Sequence, residues 1–450
     1  MTHGASGRRV RVVVLNWDGG DDLLRCIDAV AATVWSGEVE IVLIDNASTD
    51  DSVAPVLARH PGVRLIESGA NLGFVANNLA MTDLDGVDFV ALVNNDAFVD
   101  PGWLPPLVAA LDADPGLGAA QAKVLLAGSF VEVEVRSPVD APRPFDPRTF
   151  GVQVRGVRVA GVDRWAGSHV VGGFGPTDEG GTRVEWTGAG AVLRVPMDPG
   201  AASDGNVSLQ VCLAATRSKS VTLGSGASAI DATVGPTPRW VDVAVPHELV
   251  RVVNNVGTRL TSDGSGADRG WREVDRGQRD EPAEVFAWCG AAVLLRPGYL
   301  ADVGLFDEKL FLYCEDLDLA WRGRGQGWRF EVVPASVVQH RHAASTGDAS
   351  PVKQFHQERN RLLVLVQNGP ADLARRQVLH HPLATLSYLR RDVVGRVVSR
   401  RRPYWSTVRV RLSAEGSFLR LLPAALAERR RRRARRTVPA DEVDAWIGRA

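Results

Sequence analysis

Between residues 10 and 99, short β-branched apolar runs alternate with helical spacings, and each run stops at a polar turn. The run at 10–15 ends at Asn16-Trp17-Asp18-Gly19-Gly20. Residues 21–32 then place Leu23, Leu24, Ile27, Val30 and Ala31 at helical spacing. A second run at 38–44 ends at Asp45-Asn46, and Ser48 to Asp51 supply caps for a helix to about His60. Residues 63–66 read as a third strand and 73–81 as a third helix. A fourth strand at 88–93 closes on Asn94-Asn95-Asp96. Repeated units of this kind build a parallel sheet that binds ligands at the C-terminal ends of its strands. The polar turns are therefore expected to meet in one crevice.

A chain of 450 residues exceeds one compact core, so two or three domains are expected. Near Gly128 the pattern changes to short alternating runs separated by Gly, Pro and Asp turns. That reads as an inserted β-sandwich. Helix and strand signals return after Val250. The expected divisions are 1–127, 128–248, 249–350 and a helical, basic region at 351–450. A formal net charge of -1 gives no reason to expect nucleic acid as a partner. No leader-like apolar segment follows Met1, and no run of 18 apolar residues suggests a membrane span. The four cysteines form no CxxC pair. A cytoplasmic location is expected, with a peripheral position on the inner face of the plasma membrane as its variant.

Asp45 and Asp96 each end a strand, where a carboxylate can meet a ribose hydroxyl or a divalent cation. Either aspartate alone could equally start a turn. Asn94-Asn95-Asp96 has the polarity of a site that holds Mn2+ or Mg2+ against a diphosphate. Gly73, in Asn71-Leu72-Gly73-Phe74-Val75-Ala76-Asn77-Asn78, lies at a strand-to-helix turn that can bring backbone amides to a ligand. There is no GxGxxG after the first strand and no GxxxxGK[ST], which disfavours the common dinucleotide and P-loop readings. Residues 304–327, GLFDEKLFLYCEDLDLAWRGRGQG, set Asp307, Glu308, Glu315, Asp316 and Asp318 among large apolar side chains. Carboxylates kept partly out of water are costly unless paired, and are natural general bases. A helix N-terminus is the plainer account of such acids. His340 follows a strand-like run at 330–338 and can serve as a metal ligand, with His342 a competitor.

Laid in order, these segments resemble the family 2 glycosyltransferases, and within them the rhamnosyltransferase-like branch. The likeness runs through VVVLNWDG, LIDNASTDDS, NLGFVANN, LVNNDAFVDPGWL, AWCGAAVLLRP, the 304–327 segment, VVQHRHAAST and ERNRLL. It covers about 10–127 and 250–365. The resemblance implies a GT-A fold, here with an inserted β-sandwich and a helical C-terminal region. It implies a nucleotide-diphosphate sugar donor such as dTDP-rhamnose or a UDP-sugar, a divalent cation, and inversion at the anomeric carbon. It makes Asp316 the general base and Glu315 its supporting neighbour. Asp96 and His340 become the metal ligands, and Asp45 the acid that contacts the nucleoside. Asn16, Asn46, Asn71, Gly73, Asn77, Asn94 and Asn95 line the donor site. Arg359 and Asn360, followed by Arg361, match a segment expected near the diphosphate.

The chain departs from the pattern where Asn94 replaces the first acid of a DxD motif, and where Asp51 stands at a common glycine position. Trp165, Trp186 and Trp240 of the insert suit a sugar-stacking platform or, more plainly, a core. The cationic run from Arg429 to Arg436 follows an apolar segment and suits an anionic membrane surface. The leading expectation is an enzyme acting on a cell-envelope or lipid-linked glycan. A catalytically silent glycan-binding protein and a nucleotidyltransferase are the alternatives.

Overall fold

The computed structural model describes residues 7–141, 145–178, 182–198, 205–224, 226–341, 350–400 and 402–449. They form two compact units. The first gathers Met1–Ala127, Val253–Thr385 and Val408–Ala450; the second gathers Gly128–Val252 and Leu386–Thr407. Residues 386–407 thus group with the insert rather than with the other C-terminal helices.

In the first unit, Arg9–Asn16 lies between Glu38–Asp45 and Phe89–Asn94, parallel to both, and Arg64–Glu67 continues the parallel set beyond Glu38–Asp45. Val12 and Val14 pack on one face of the sheet and Val13 on the other. Burial on both faces explains why these strands read as unbroken apolar runs. The register sets Asn16 opposite Asp45 and Leu15 opposite Asn94. Three polar strand ends are thereby brought to one edge.

Two expectations need correction. The sheet is mixed, because Ala292–Leu295 runs antiparallel between Phe89–Asn94 and Leu117–Leu126. Arg329–His340 then pairs parallel to Leu117–Leu126 on its far side. Residues 249–350 therefore complete the sheet begun by 1–127. The third helix is the other correction: Gly73–Ala80 is a 3-10 turn. Gly73 enters it at φ +71°, and the Asn77 side chain donates to the Phe74 carbonyl at 2.8 Å. Such local side-chain bonds compete with the regular helix ladder.

The chain leaves this sheet after Leu117–Leu126 and rejoins it at Val253–Asn255, which pairs antiparallel to the same strand. An insert entering and leaving at adjacent strands does not interrupt the sheet. The insert's strands are paired antiparallel throughout the described residues. Val131, Val133 and Val135 share one core with Leu209, Val211, Leu213, Val241, Val243 and Val245. Ser129–Arg136 packs against Arg239–Pro246 although three strands separate them in the sheet order. The expected sandwich is thus one continuous sheet folded over itself. Trp165 lies in its core, Trp186 packs on Phe150, and Trp240 is exposed beneath the Arg158 guanidinium.

The helix Ser406–Arg435 is not simply a solvated basic face. Phe418 and Ala425 enter the core of the first unit. Arg432 turns inward to the buried Asp318 carboxylate and to Asn368 Oδ1 at 2.9 Å. No helix of the described residues is long and apolar enough to cross a membrane.

Gly73 makes a testable demand. A Cβ built there falls 2.2 Å from the Phe311 carbonyl oxygen. Gly73→Ala combines that clash with a left-handed backbone, which alone costs about 1–2 kcal/mol. We expect a clear fall in the urea midpoint, whereas Gly86→Ala, at a similar φ in open space, should lose less.

Candidate active site

The turn after the first strand is held by the turn after the second. Asn16 is fully buried and donates to Ser48 Oγ and Ser52 Oγ, both at 2.9 Å. Its Oδ1 accepts from Asn95 Nδ2 at 2.9 Å. Asn46 donates to Asn71 Oδ1 at 3.1 Å and to the Gly73 carbonyl at 3.2 Å, and accepts from the Leu72 amide at 2.9 Å. Asn71 Oδ1 in turn accepts from the Gly73 amide. Asn16, Asn46, Asn71 and Asn95 therefore knit the strand ends together, while Asn77 turns back into its own segment. The Asp45 carboxylate accepts from the Ser48 amide at 3.2 Å and is half-buried at the edge.

Asp96 and His340, remote in sequence, meet at the sheet edge. His340 Nε2 lies 3.0 Å from Asp96 Oδ1, and Asn94 Nδ2 lies 3.4 Å from the same nitrogen. On the far side of the ring, Nδ1 lies 3.0 Å from Asn254 Oδ1. An amide oxygen accepts, so Nδ1 carries a proton in that contact. That leaves Nε2 facing the Asp96 carboxylate oxygen. Among the described residues, no three His, Cys, Asp or Glu side chains gather into a metal cage. A carboxylate and an imidazole with an open front nevertheless suit Mn2+ or Mg2+, which take their remaining ligands from water and phosphate oxygens. His342 lies outside the described residues.

A cavity of about 310 Å³ opens beside this pair, lined by residues 18–22, Asn95, Asp96 and Arg341. Arg341 reaches Asp22 at 2.5 Å, and its amide donates to the Asp96 carbonyl. Asp18, Asp22, Asn254 and Arg341 were not picked out from the sequence. Asn254 carried a signal, since Asn254-Asn255 closes an apolar run just as Asn94-Asn95 does.

Glu315–Gly325 is a helix that starts from a strained approach. Phe311, Tyr313 and Cys314 have φ of 62°, 68° and 69°. Its three acids have separate environments. Glu315 is 5% exposed, and its Oε2 has no hydrogen-bond partner among the described residues. Burial first, then the neighbouring Asp316 and Asp318, raise its carboxyl well above the usual range. Asp316 accepts from its neighbour's amide, Leu317, at 2.7 Å, and from the Gly290 amide. Burial, assisted by the Asp268 carboxylate, still pushes it up to about 6. Asp318 is fully buried, yet Arg432 and Arg322 keep it ionised below the usual value. Asp318 is scaffold, and Asp316 is the acid poised near neutrality.

Gly290 connects the acid to the crevice. The next residue, Ala291, accepts from the Asn94 amide at 3.1 Å. Asp316 is thus joined through one short backbone segment to the strand end that carries Asn94, Asn95 and Asp96.

Arg359 and Asn360, expected near the diphosphate, direct hydrogen bonds to the backbone of residues 309–313. Asn360 Nδ2 donates to the carbonyls of Leu310, Leu312 and Tyr313 at 2.7, 2.9 and 2.8 Å. Arg359 donates to the carbonyls of Lys309 and Leu310. Left-handed residues turn successive carbonyls inward, and these two side chains satisfy them. Arg361 pairs with Glu358 at 3.3 Å and faces Asp263 at 3.6 Å.

Comparison with known proteins bears on residues 11–137, which match the family model described as glycosyl transferase family 2. N-acetylglucosaminyl-diphospho-decaprenol L-rhamnosyltransferase of Mycobacterium tuberculosis (strain ATCC 25618 / H37Rv) is 35% identical over 123 residues. That alignment covers 26% of this chain and 40% of the relative, so the chain spans under half the length of the curated relatives it matches. Among solved structures, GalNAc-T7 with UDP, GalNAc and Mn2+ is 13% identical at a TM-score of 0.44, covering 90% of this chain and 56% of that one. The mannosyltransferase PcManGT from Pyrobaculum calidifontis, in complex with GDP-Man and Mn2+, is 13% identical at 0.39, covering 92% and 87%.

Replacing Asn360 tests the loop that delivers Asp316. Asn360→Ala should destabilise the protein by about 2–3 kcal/mol, the range for stranding buried carbonyls. Asn360→Asp should be no better, because an ionised carboxylate cannot donate. Urea unfolding of both variants checks this; a fully stable Asp variant would contradict the assigned bonds.

Proposed function

We propose, on the match of residues 11–137 to the family 2 glycosyl transferases, a metal-dependent, inverting sugar transfer from a nucleotide-diphosphate donor to a glycan acceptor. Rhamnose is the sugar this reading favours, with dTDP-rhamnose or a UDP-sugar as donor. A cell-envelope or lipid-linked glycan is the acceptor class. The observation that carries the reading is Asp316: a carboxyl pushed up to about 6 and bonded to the backbone that also holds Asn94.

An inverting transfer is a single in-line displacement. Asp316, ionised at neutral pH, accepts the proton of the acceptor hydroxyl as that oxygen bonds to the anomeric carbon. The bond from that carbon to the diphosphate breaks on the opposite face, and the diphosphate leaves with its electron pair. Burial and Asp316 itself raise the Glu315 carboxyl, which disfavours a second negative charge beside Asp316. Asp96 and His340 would hold the cation, which supplies charge neutralisation for the leaving diphosphate. Asn254 orients His340 for that purpose. Arg341 adds a positive charge to the same cavity. Asp45, at the neighbouring strand end, is the acid assigned to the nucleoside. A leaving group stabilised in this way needs no second carboxyl to protonate it, unlike the inverting hydrolases.

A catalytically silent binding protein would have no use for a carboxyl held near neutrality at the sheet edge. A nucleotidyltransferase would leave the Glu315-Asp316 pair unexplained.

Asp316→Asn should lower turnover by about 10²–10⁴-fold while leaving donor binding near wild type. A fully active variant would remove Asp316 as the base. In the wild type, kcat/KM should rise through about pH 6 and level off above it, because the base must be ionised. The stability sign is opposite. The raised carboxyl favours the protonated folded state, so its contribution is present at low pH and lost as pH rises through about 6. The thermal midpoint of Asp316→Asn should therefore gain on the wild type between pH 5 and pH 8.

Asp96→Ala and His340→Ala should each weaken manganese-dependent donor binding, read by thermal shift with dTDP-rhamnose, a UDP-hexose and UDP-galactofuranose. Loss of about tenfold or more is expected for each, as for removal of a ligand or its support. Unchanged metal dependence in both variants would refute the assigned pair.

A further inference from the structure

The helix Ser406–Arg435 carries a surface that sugar transfer does not use. Leu412, Leu419, Leu426 and Arg433 recur every seventh residue. Residues seven apart on a helix drift by only about 20°, so the four form one row. The leucines are 54%, 60% and 45% exposed. At about 1.5 Å per residue the row is roughly 30 Å long. Arg409, Arg420 and Arg431, all exposed, recur every eleventh residue and make a second row beside it.

Both rows lead to a groove of about 530 Å³ lined by Arg431, Arg433, Arg435 and Arg436. Of the acids in this groove, Asp302 accepts from the Trp328 indole at 2.9 Å, and the other two are paired with cations. Asp307 faces Lys309 and Arg432, and Glu428 pairs with Arg431 and Arg432. Arg435 and Arg436 donate to the carbonyls of Asp302 and Asn368, which satisfies donors but neutralises no charge. Arg433, Arg435 and Arg436 have no carboxylate within ion-pair distance among the described residues. Desolvation and the neighbouring Arg433 both loosen the proton of Arg436, although Asp444 opposes them. Like charges held together in a concavity are relieved by an anion.

We propose that this helix docks the protein on an anionic phospholipid surface. The leucine row lies against acyl chains, and the arginine groove receives lipid phosphates. Exposed leucines flanked by arginines match the chemistry of a membrane interface, where apolar burial and headgroup charge act together. The surface is separate from the reaction: on the Glu315–Gly325 helix, Asp316 and Asp318 lie about 160° apart, and Arg432 meets Asp318. Docking thus stands whether or not the transfer chemistry is as proposed.

The test is flotation of the full chain with vesicles of phosphatidylglycerol and phosphatidylcholine against phosphatidylcholine alone. Truncating the helix would remove buried Phe418 and Arg432, so point variants are used. Binding to the anionic vesicles alone is expected. Arg431→Gln/Arg433→Gln and Leu412→Ser/Leu419→Ser/Leu426→Ser should each weaken it at least about tenfold. Their circular dichroism and thermal midpoints should match wild type. Inorganic diphosphate at constant ionic strength separates a free phosphate ligand from a lipid one. A saturable rise in midpoint with diphosphate and no vesicle binding would overturn the proposal. So would undiminished binding by either variant, or a leucine variant that only converts a dimer to a monomer.

Discussion

The four residues Ala292–Leu295 decide how the first unit is organised. They are wholly buried and run antiparallel between Phe89–Asn94 and Leu117–Leu126. A strand with neighbours on both sides cannot slip by one residue without turning its side chains to the wrong faces. That register places Ala291 on the Asn94 amide and leaves Gly290 to meet Asp316. Without this strand, the polar strand ends and the acidic helix would belong to separate pieces of chain. With it, the segments on either side of the insert share one sheet.

Environment then separates acids that look alike in sequence. Glu315, Asp316 and Asp318 stand within one helical turn and are all shielded from water, Asp316 the least. Glu315 has no cation beside it, and burial raises its carboxyl well above the usual range. Asp318 has Arg322 and Arg432 and stays charged. Asp316 has two backbone amides on one side and Asp268 on the other, and settles near neutrality. Ionisation here follows from what each carboxyl faces rather than from residue type. The strained segment before the helix has its own support in Asn360, whose single amide group serves three carbonyls.

Much of this was legible in the chain. The βα alternation and the polar strand ends follow from a period that sterics impose on any sequence. The motif order led to Asp316, Asp96 and His340 as one set, and the fold brings Asp96 and His340 into contact. The mixed sheet was not legible, because a buried four-residue apolar strand carries no direction in its composition. The 3-10 turn at Gly73 was missed because Asn77's bond to Phe74 is a local choice that apolar periodicity does not record. Arg359 and Asn360 look like ligand-binding residues in sequence, since nothing there shows that residues 309–313 turn their carbonyls toward them.

The basic tail shows the same division in charge. Seven arginines between 429 and 436 read alike in one dimension. Helical geometry sends Arg432 inward to Asp318 and leaves Arg433 at the end of a leucine row. The sequence alone determined which residue types were present, their periodicities and the order of the motifs, because backbone sterics and apolar patterning act locally. The tertiary structure decided which carboxyl is raised and which lowered, which arginine is neutralised and which asparagine holds His340. Those outcomes depend on partners far apart in the chain, and only packing brings such groups within hydrogen-bonding reach.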